Sequence, residues 1–526
     1  MKNKTLSLLL ILSMLLPLVS LSSCFKSAVV DPIDDNYRTF YQIFVGSFSD
    51  SNGDGVGDLR GIINRLDYLN DGNINGGKDL GVQGIWLSPI FQSPSYHKYD
   101  AIDYYKVDEK FGTMEDLKEL IALCHERNVK IILDLVINHS SDENDWFLKF
   151  KQARLSGDTS SKYYDYYSCV DADSRGGGST YTSLGGGWWY ESNFSSDMPE
   201  LNFDNPVVRE DMLSLAKFYL DMGIDGFRFD AVKYIYYSNT QKSVDFWKWY
   251  LGELTAYAPD IYCVGECWSA EGEILEYYEA MNCFNFATSG AEGKVAPAAK
   301  GSNIVTFLNY IVKYQDKVQA ANPNGMPMSF LSNHDMDRSG GVFLKPEDMK
   351  MAANLYLLSP GSPMIYYGEE LGMRGSRGSA NTDANRRLAM LWGDGDGVKN
   401  PIGATYSDDR QIKDGVKDQL KDKDSMLNHY SKLISIRHKY PAIARGDYST
   451  LISGNSCLGG FAVDYDGDSL FIIHNTSDEQ ISIALSELEG LGERSVTALC
   501  DYVGSGVAKL KDGKLVIDGK TSAILQ

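Results

Sequence analysis

Lys130-Ile-Ile-Leu-Asp134-Leu-Val-Ile-Asn138-His139 is an apolar run that ends in an amide and a histidine. It is too short and too β-branched for a core helix and reads as a buried strand with a polar end. Working outward, six more runs of this kind are found: Phe40–Val45, Gly84–Leu87, Gly226–Phe229, Ile261–Val264, Met328–Leu331 and Pro363–Tyr367. Amphipathic stretches lie among them, at Met114–Arg127, Val207–Met222, Ser243–Tyr257, Pro346–Leu358 and Ser425–Lys439. Strand–helix alternation on this scale predicts parallel βαβ units, and an α/β fold closed as a (β/α)8 TIM barrel suits the length. An open doubly wound sheet is the alternative. The absence of an early G-x-G-x-x-G argues against a nucleotide-binding version of it.

One connection is long. Between His139 and Val207 lie roughly 65 residues rich in Tyr, Gly, Ser and Trp, which predicts an inserted domain B after the third strand, residues 140–203. The barrel then spans 37–139 and 204–440. After Tyr440 the pattern changes to short alternating runs, Gly460–Tyr465, Ser469–His474, Ile481–Leu485 and Leu515–Ile517. These predict a C-terminal antiparallel β-sandwich domain over 441–526.

At the other end, Lys2 and Lys4 precede an apolar run from Leu6 to Leu21, followed by Ser22-Ser23-Cys24. This reads as a secretory leader of residues 1–23, and its end resembles a bacterial lipobox with Cys24 as the lipidated first mature residue. An ordinary leader with an incidental cysteine is the alternative. Residues 24–36 then form a tether, and the expected location is extracytoplasmic, lipid-anchored to the cell surface or membrane. The remaining seven cysteines are scattered and show no disulfide framework, so most read as small buried apolar residues. The formal net charge of −21 disfavours nucleic acid as a partner. A neutral polymer is not repelled, and 33 Tyr with 8 Trp suit stacking on sugar rings. A monomer is expected.

Four strand ends carry polar clusters: Asp134-Leu-Val-Ile-Asn138-His139, Gly226-Phe-Arg228-Phe-Asp230, Val264-Gly-Glu266 and Leu331-Ser-Asn-His334-Asp335. The C-terminal ends of barrel strands are where this fold holds its active site. Three carboxylates at one barrel mouth point to glycoside hydrolysis. That reaction needs one carboxyl group to attack or activate water and another to protonate the leaving oxygen.

These four segments resemble the signature regions of the α-amylase family of glycoside hydrolases (family 13), with similarity from about Tyr37 to Tyr440. The resemblance is strongest to secreted bacterial α-amylases, some of them lipoproteins. It implies Asp230 as nucleophile, Glu266 as general acid/base and Asp335 as the third carboxylate, which holds sugar hydroxyls. Arg228, on the same strand face as Asp230, would keep that carboxylate ionised. Asp230 and Asp335 would in turn raise the pKa of Glu266. Asp134 is expected beneath the site, paired with Arg228. The resemblance also implies sugar contacts from His139 and His334, and from His97 and Tyr99 in Ser95-Tyr96-His97-Lys98-Tyr99-Asp100. Lys233 matches an acceptor-side contact, and Arg338 a family arginine near the site.

Asp50-Ser-Asn52-Gly-Asp54-Gly-Val56-Gly-Asp58 sets oxygen ligands at alternate positions, with Val56 able to offer its carbonyl. It resembles an EF-hand loop without the glutamate at position 12, where Gly61 stands, and matches the Ca²⁺ loop of many α-amylase relatives. An acidic turn without metal is the alternative. For a second calcium, Asn138 matches the barrel-side ligand, and Glu200 stands where the family commonly has Asp. The expected activity is endo-acting hydrolysis of α-1,4 bonds in starch, glycogen and maltooligosaccharides. The alternatives are an α-glucosidase, a pullulan-degrading enzyme or a glucanotransferase of the same family. An inactive glucan-binding surface protein is a further alternative, although inactive relatives typically lack one of the acids.

Overall fold

The computed structural model describes residues 35–73 and 79–526; the leader, Cys24 and most of the tether lie outside them. Seven parallel strands form most of a barrel: Phe40–Ile43, Gly84–Leu87, Lys130–Leu135, Gly226–Phe229, Tyr262–Gly265, Asn282–Cys283 and Met364–Tyr366. Residues 328–330 supply the missing seventh stave, since Met328 bridges Phe284 and Phe330 bridges Met364, both in parallel. The first strand pairs with the last, Phe40 opposite Met364, and the circuit closes. The closed barrel is therefore the architecture, and the open sheet is not.

The strands read as apolar because they are buried on both faces. Inside, Phe40, Trp86, Ile132, Tyr262, Phe284 and Met364 share one core. Helices such as Met114–Glu126, Pro206–Asp221, Thr240–Tyr257 and Met426–Lys439 cover the outside with apolar faces. Gly226 shows how tightly neighbouring strands approach. Its φ is +156°, and a Cβ there would lie 1.7 Å from the Tyr262 carbonyl oxygen.

Sequence bounds and structure agree within about two residues for most of these elements, ordinary fraying. Several elements were missed, two of them in or against the barrel. The sixth strand is only Asn282–Cys283, too short for periodicity. Helix Ile304–Ala321, capped by the Asn303 side chain, packs against the C-terminal sheet.

After the third strand the chain leaves the barrel to form helix Asp145–Ser156 and a three-stranded antiparallel sheet, Cys169–Asp171, Tyr181–Gly185 and Trp188–Glu191, with the last strand in the middle. It rejoins the barrel through bridges from His139 to Glu200 and from Tyr167 to Leu201. The C-terminal part is a five-stranded and a three-stranded antiparallel sheet. Leu451, Phe471 and Leu525 of one sheet share a core with Ile483, Leu515 and Ile517 of the other. The seven described cysteines are all free, with Cys124, Cys267 and Cys283 buried and the rest half-buried.

Candidate active site

The strand ends converge around one guanidinium. Arg228 is fully buried, and its Nη1 donates to Asp134 Oδ1 at 2.8 Å and to Asp230 Oδ1 at 2.7 Å. Its Nη2 lies 3.4 Å from Glu266 Oε2. Asp134 is thus the expected buried partner beneath the site. Ala231, directly after Asp230, adopts a left-handed conformation (φ +51°), uncommon for a residue with a Cβ, and its N–H donates to Glu266 Oε2 at 3.1 Å.

Asp335 is built from the seventh stave. His334 Nε2 lies 2.9 Å from Asp335 Oδ2, and Arg387 Nη2 donates to Oδ1 at 2.6 Å. Gln42 Nε2 approaches His334 Nδ1 at 2.8 Å, so the ring proton sits on Nε2, towards Asp335 and the Tyr99 hydroxyl at 2.6 Å. Tyr99 stacks on His334 with ring centroids 5.3 Å apart and donates to Asp134 Oδ2 at 2.8 Å.

Electrostatics separate the acids. Burial pushes the Glu266 carboxyl up to about 8; Arg228 opposes this, and the negative charges of Asp230 and Asp335 reinforce it. Burial is thus the leading cause, ahead of the neighbouring carboxylates on which the sequence argument rested. For Asp335 burial also acts upward, but His334 and Arg387 outweigh it and hold the carboxyl well below the usual range. Burial lifts Asp134 to about 6 against the pull of Arg228.

Above these groups opens a cavity of about 580 Å³ whose wall includes Asp230, Glu266, Asp335, His97, Tyr99 and His139. His97 Nδ1 accepts from the Tyr99 N–H at 3.2 Å, which leaves Nε2 as the donor. The His139 ring reaches the cavity wall, with its Nδ1 3.3 Å from Asn138 Nδ2. Trp268 and Phe194, both nearly half exposed, add flat apolar faces.

Of the residues expected near the sugar, Arg228, Arg338, His334 and Lys233 are not in the wall of this cavity. Arg338 is buried beneath it, its guanidinium 4.5 Å from the Tyr366 and Tyr367 ring centres and donating to the Tyr367 carbonyl at 2.6 Å. His334 is buried behind Asp335 and Tyr99 and acts on the carboxylate instead of the wall. Lys233 is spent on the Trp268 carbonyl at 2.8 Å, bracing the turn that follows Glu266. The cavity takes Arg377, Arg386 and Arg387 from the loop after the eighth strand instead. That Gly-, Ser- and Asn-rich loop carries no periodic signal, so sequence reading missed them. Trp268 and Tyr96 also line the cavity.

The Asp50–Asp58 loop curls as expected. Successive N–H groups of Asn52, Asp54 and Val56 donate to the side-chain oxygens of Asp50, Asn52 and Asp54 at 3.0, 2.9 and 2.8 Å. Asp58 caps helix Leu59–Asn64 by accepting from the Gly61 N–H at 2.6 Å. A Cβ at Gly61 would stand 2.0 Å from the Ser49 carbonyl oxygen, so no glutamate can occupy that position. The alternating oxygens fit a hard cation. Their carboxylates are not drawn together, since among the described residues no three acidic, histidine or cysteine side chains gather as a metal cluster. Glu200 and Asn138 are neighbours, and burial pushes the Glu200 carboxyl up to about 8.

A closed (β/α)8 barrel with carboxyl groups of opposed proton affinity at its C-terminal mouth defines a glycoside hydrolase. The comparisons narrow this. Residues 42–446 match the family described as Alpha amylase, catalytic domain. An α-amylase 3 of Dictyoglomus thermophilum is 36% identical over 442 residues, 83% of this chain and 84% of that one. An oligo-1,6-glucosidase of Bacillus cereus is 30% identical over 535 residues, 85% and 91% of the two chains. The solved structure of Eubacterium rectale Amy13B superposes with a TM-score of 0.85 at 34% identity, covering 93% of this chain and 95% of that one. The chain belongs to the α-amylase family of glycoside hydrolases.

Proposed function

We propose that this protein is an endo-acting α-amylase that cleaves α-1,4-glucosidic bonds with retention of configuration. The observation that carries the mechanism is the single Arg228 guanidinium set against both Asp230 and Glu266, whose carboxyl burial pushes up to about 8. Asp230 Oδ attacks the anomeric carbon as the glycosidic C–O bond breaks. Glu266 Oε2 already accepts the Ala231 N–H, so Oε1 carries the proton that passes to the leaving oxygen. Water then attacks the glycosyl-enzyme, Glu266 takes its proton, and Asp230 is released as carboxylate. Asp335, held ionised, binds sugar hydroxyls, and His139 in the cavity wall donates to the same sugar.

Trp268 and Phe194 favour an extended glucan over a short substrate, because exposed rings beside the acid can seat successive sugar faces. The resemblance to an oligo-1,6-glucosidase keeps an α-glucosidase as the second reading, with a pullulan-degrading enzyme or a glucanotransferase behind it. An inactive binding protein has no support where all three acids line one cavity. The proposal includes a Ca²⁺ ion held by Asp50, Asn52, Asp54, the Val56 carbonyl and Asp58, serving to brace the loop. It also includes export and a lipid anchor at Cys24, so a Cys24→Ser chain should no longer partition with membranes.

The test is a maltoheptaose blocked at its non-reducing end. Internal cleavage into short maltooligosaccharides, lost in Asp230→Asn, is the expected outcome. Resistance of the blocked substrate, with glucose freed from the unblocked one, would establish the α-glucosidase instead.

A further inference from the structure

Arg387 comes from a stretch with little regular structure of its own. Between Leu371 and Val416 the chain holds only two short 3-10 helices, Asp383–Arg386 and Asp408–Arg410. Yet its guanidinium is set on three partners: Asp335 Oδ1 at 2.6 Å, the Tyr96 hydroxyl at 2.9 Å and the His334 carbonyl at 3.0 Å. A side chain on a loop keeps such a geometry only where other contacts fix the backbone that carries it.

The residues after Arg387 are laid along the segment that follows the first barrel strand. The Met390 N–H donates to the Ser47 carbonyl at 2.8 Å, and Trp392 Nε1 to the Phe48 carbonyl at 2.5 Å. One carboxylate fastens the end of this run. Asp396, its side chain only 4% exposed, accepts from Ser49 Oγ at 2.6 Å, from the Asp50 N–H at 3.1 Å and from Arg65 Nη2 at 2.9 Å. Arg65 also lies 4.1 Å from the Trp392 ring centre and closes the clasp from the other side. The chain then turns back, and Asn400 Oδ1 accepts the Ala389 N–H at 2.9 Å, two residues past Arg387. Glycines let the two loops meet this closely. A Cβ at Gly397 would stand 2.9 Å from Asp50 Oδ2, and one at Gly55 2.9 Å from Lys399 Cδ. Hydrogen bonds to an ionised group are the strong ones, so several on one nearly buried carboxylate hold the segment firmly.

We propose that Asp396 and Asn400 are positioning residues, which clasp the 387–400 segment to the chain after the first barrel strand and so hold Arg387 on Asp335. This rests on the reaction proposed above, in which Asp335 acts as a carboxylate. Burial by itself pushes that carboxyl up, and His334 with Arg387 holds it down. Neither Asp396 nor Asn400 is in the wall of the catalytic cavity. Loosening the clasp therefore withdraws a cation from Asp335 without removing any group from that wall.

The test is a double-mutant cycle on kcat/KM for maltoheptaose, with pH profiles, in the parent, Asp396→Asn, Arg387→Ala and the double variant. Asp396→Asn should lower kcat/KM about 10- to 10²-fold through misplacement alone. Its acid limb should move to higher pH, the direction in which Arg387→Ala moves it. In the Arg387→Ala background Asp396→Asn should cost nothing further, because no guanidinium is left to place. Asn400→Ala, at an exposed position, should act in the same direction by a smaller factor. If Asp396→Asn does not fold, the same cycle with Asn400→Ala decides. Losses that multiply in the double variant would overturn the proposal. So would an acid limb that stays in place in the folded clasp variant, or in Arg387→Ala itself. A parent enzyme inert on maltoheptaose would instead remove the proposed reaction, and this proposal with it.

Discussion

Glu266 and Asp335 are the same kind of side chain at one barrel mouth, and their surroundings drive them apart. Glu266 is raised because burial penalises its charge; Asp335 is lowered because His334 and Arg387 compensate its charge. The first consequence is a pH profile. Glu266 keeps the proton that catalysis needs until pH rises through about 8, so kcat/KM should fall on a basic limb near that value. Glu266→Gln should lower kcat/KM on maltoheptaose about 10²- to 10⁴-fold, and the limb should vanish from its profile. A limb that survived the substitution would belong to another group. The carboxylates were legible in the sequence because each ends an apolar strand. Arg387 was not, because nothing in a loop of small and polar residues announces which of its arginines turns inward.

Among the elements, two short segments set the geometry. Gly226 lets the fourth and fifth strands pair where a Cβ would meet the Tyr262 carbonyl. Gly226→Ala should therefore destabilise the fold by about 3 kcal/mol or more, read as a lowered urea midpoint with an unchanged denaturant slope. The Asp50–Asp58 loop is tied to a distant segment, since Ser49 Oγ and the Asp50 N–H both donate to Asp396 at 2.6 and 3.1 Å. If the loop holds calcium, a chelator should lower the thermal unfolding midpoint of the parent and leave Asp54→Ala unaffected. Equal response of the two proteins, or none in either, would return the loop to an acidic turn. Sequence spacing revealed the alternating oxygens. Only the folded chain shows that Asp58 is also a helix cap and that Gly61 has no room for a side chain.

Across the whole molecule, the C-terminal sandwich is fastened to the barrel by polar groups buried at the junction. Lys520 Nζ lies 2.7 Å from Asp348 Oδ1 and donates to the Ala299 carbonyl at 2.7 Å. Asn354 Nδ2 donates to Ser522 Oγ at 2.8 Å and to the Val503 carbonyl at 3.0 Å. Removing one partner of a buried ion pair leaves the other charge uncompensated. Lys520→Ala should cost about 3 kcal/mol, with Asp348→Asn on the same background recovering part of it. Additive losses in that cycle would show that the pair is not coupled.

The sequence by itself determined the barrel, the inserted segment, the C-terminal sheets and the three acids. Each of these is written locally, as a hydrophobic period, a turn-rich break or a polar residue at a strand end. The tertiary structure decided what locality cannot carry. It closed the barrel through a stave that pairs with its neighbours only at Met328 and Phe330. It placed Arg387 on Asp335 across 52 residues of chain, and withdrew Arg338 and His334 from the cavity wall. It also made burial the leading cause of Glu266 protonation. The physical reason is the same in each case: desolvation and long-range pairing depend on which distant segments pack together, and that is fixed only when the chain is folded.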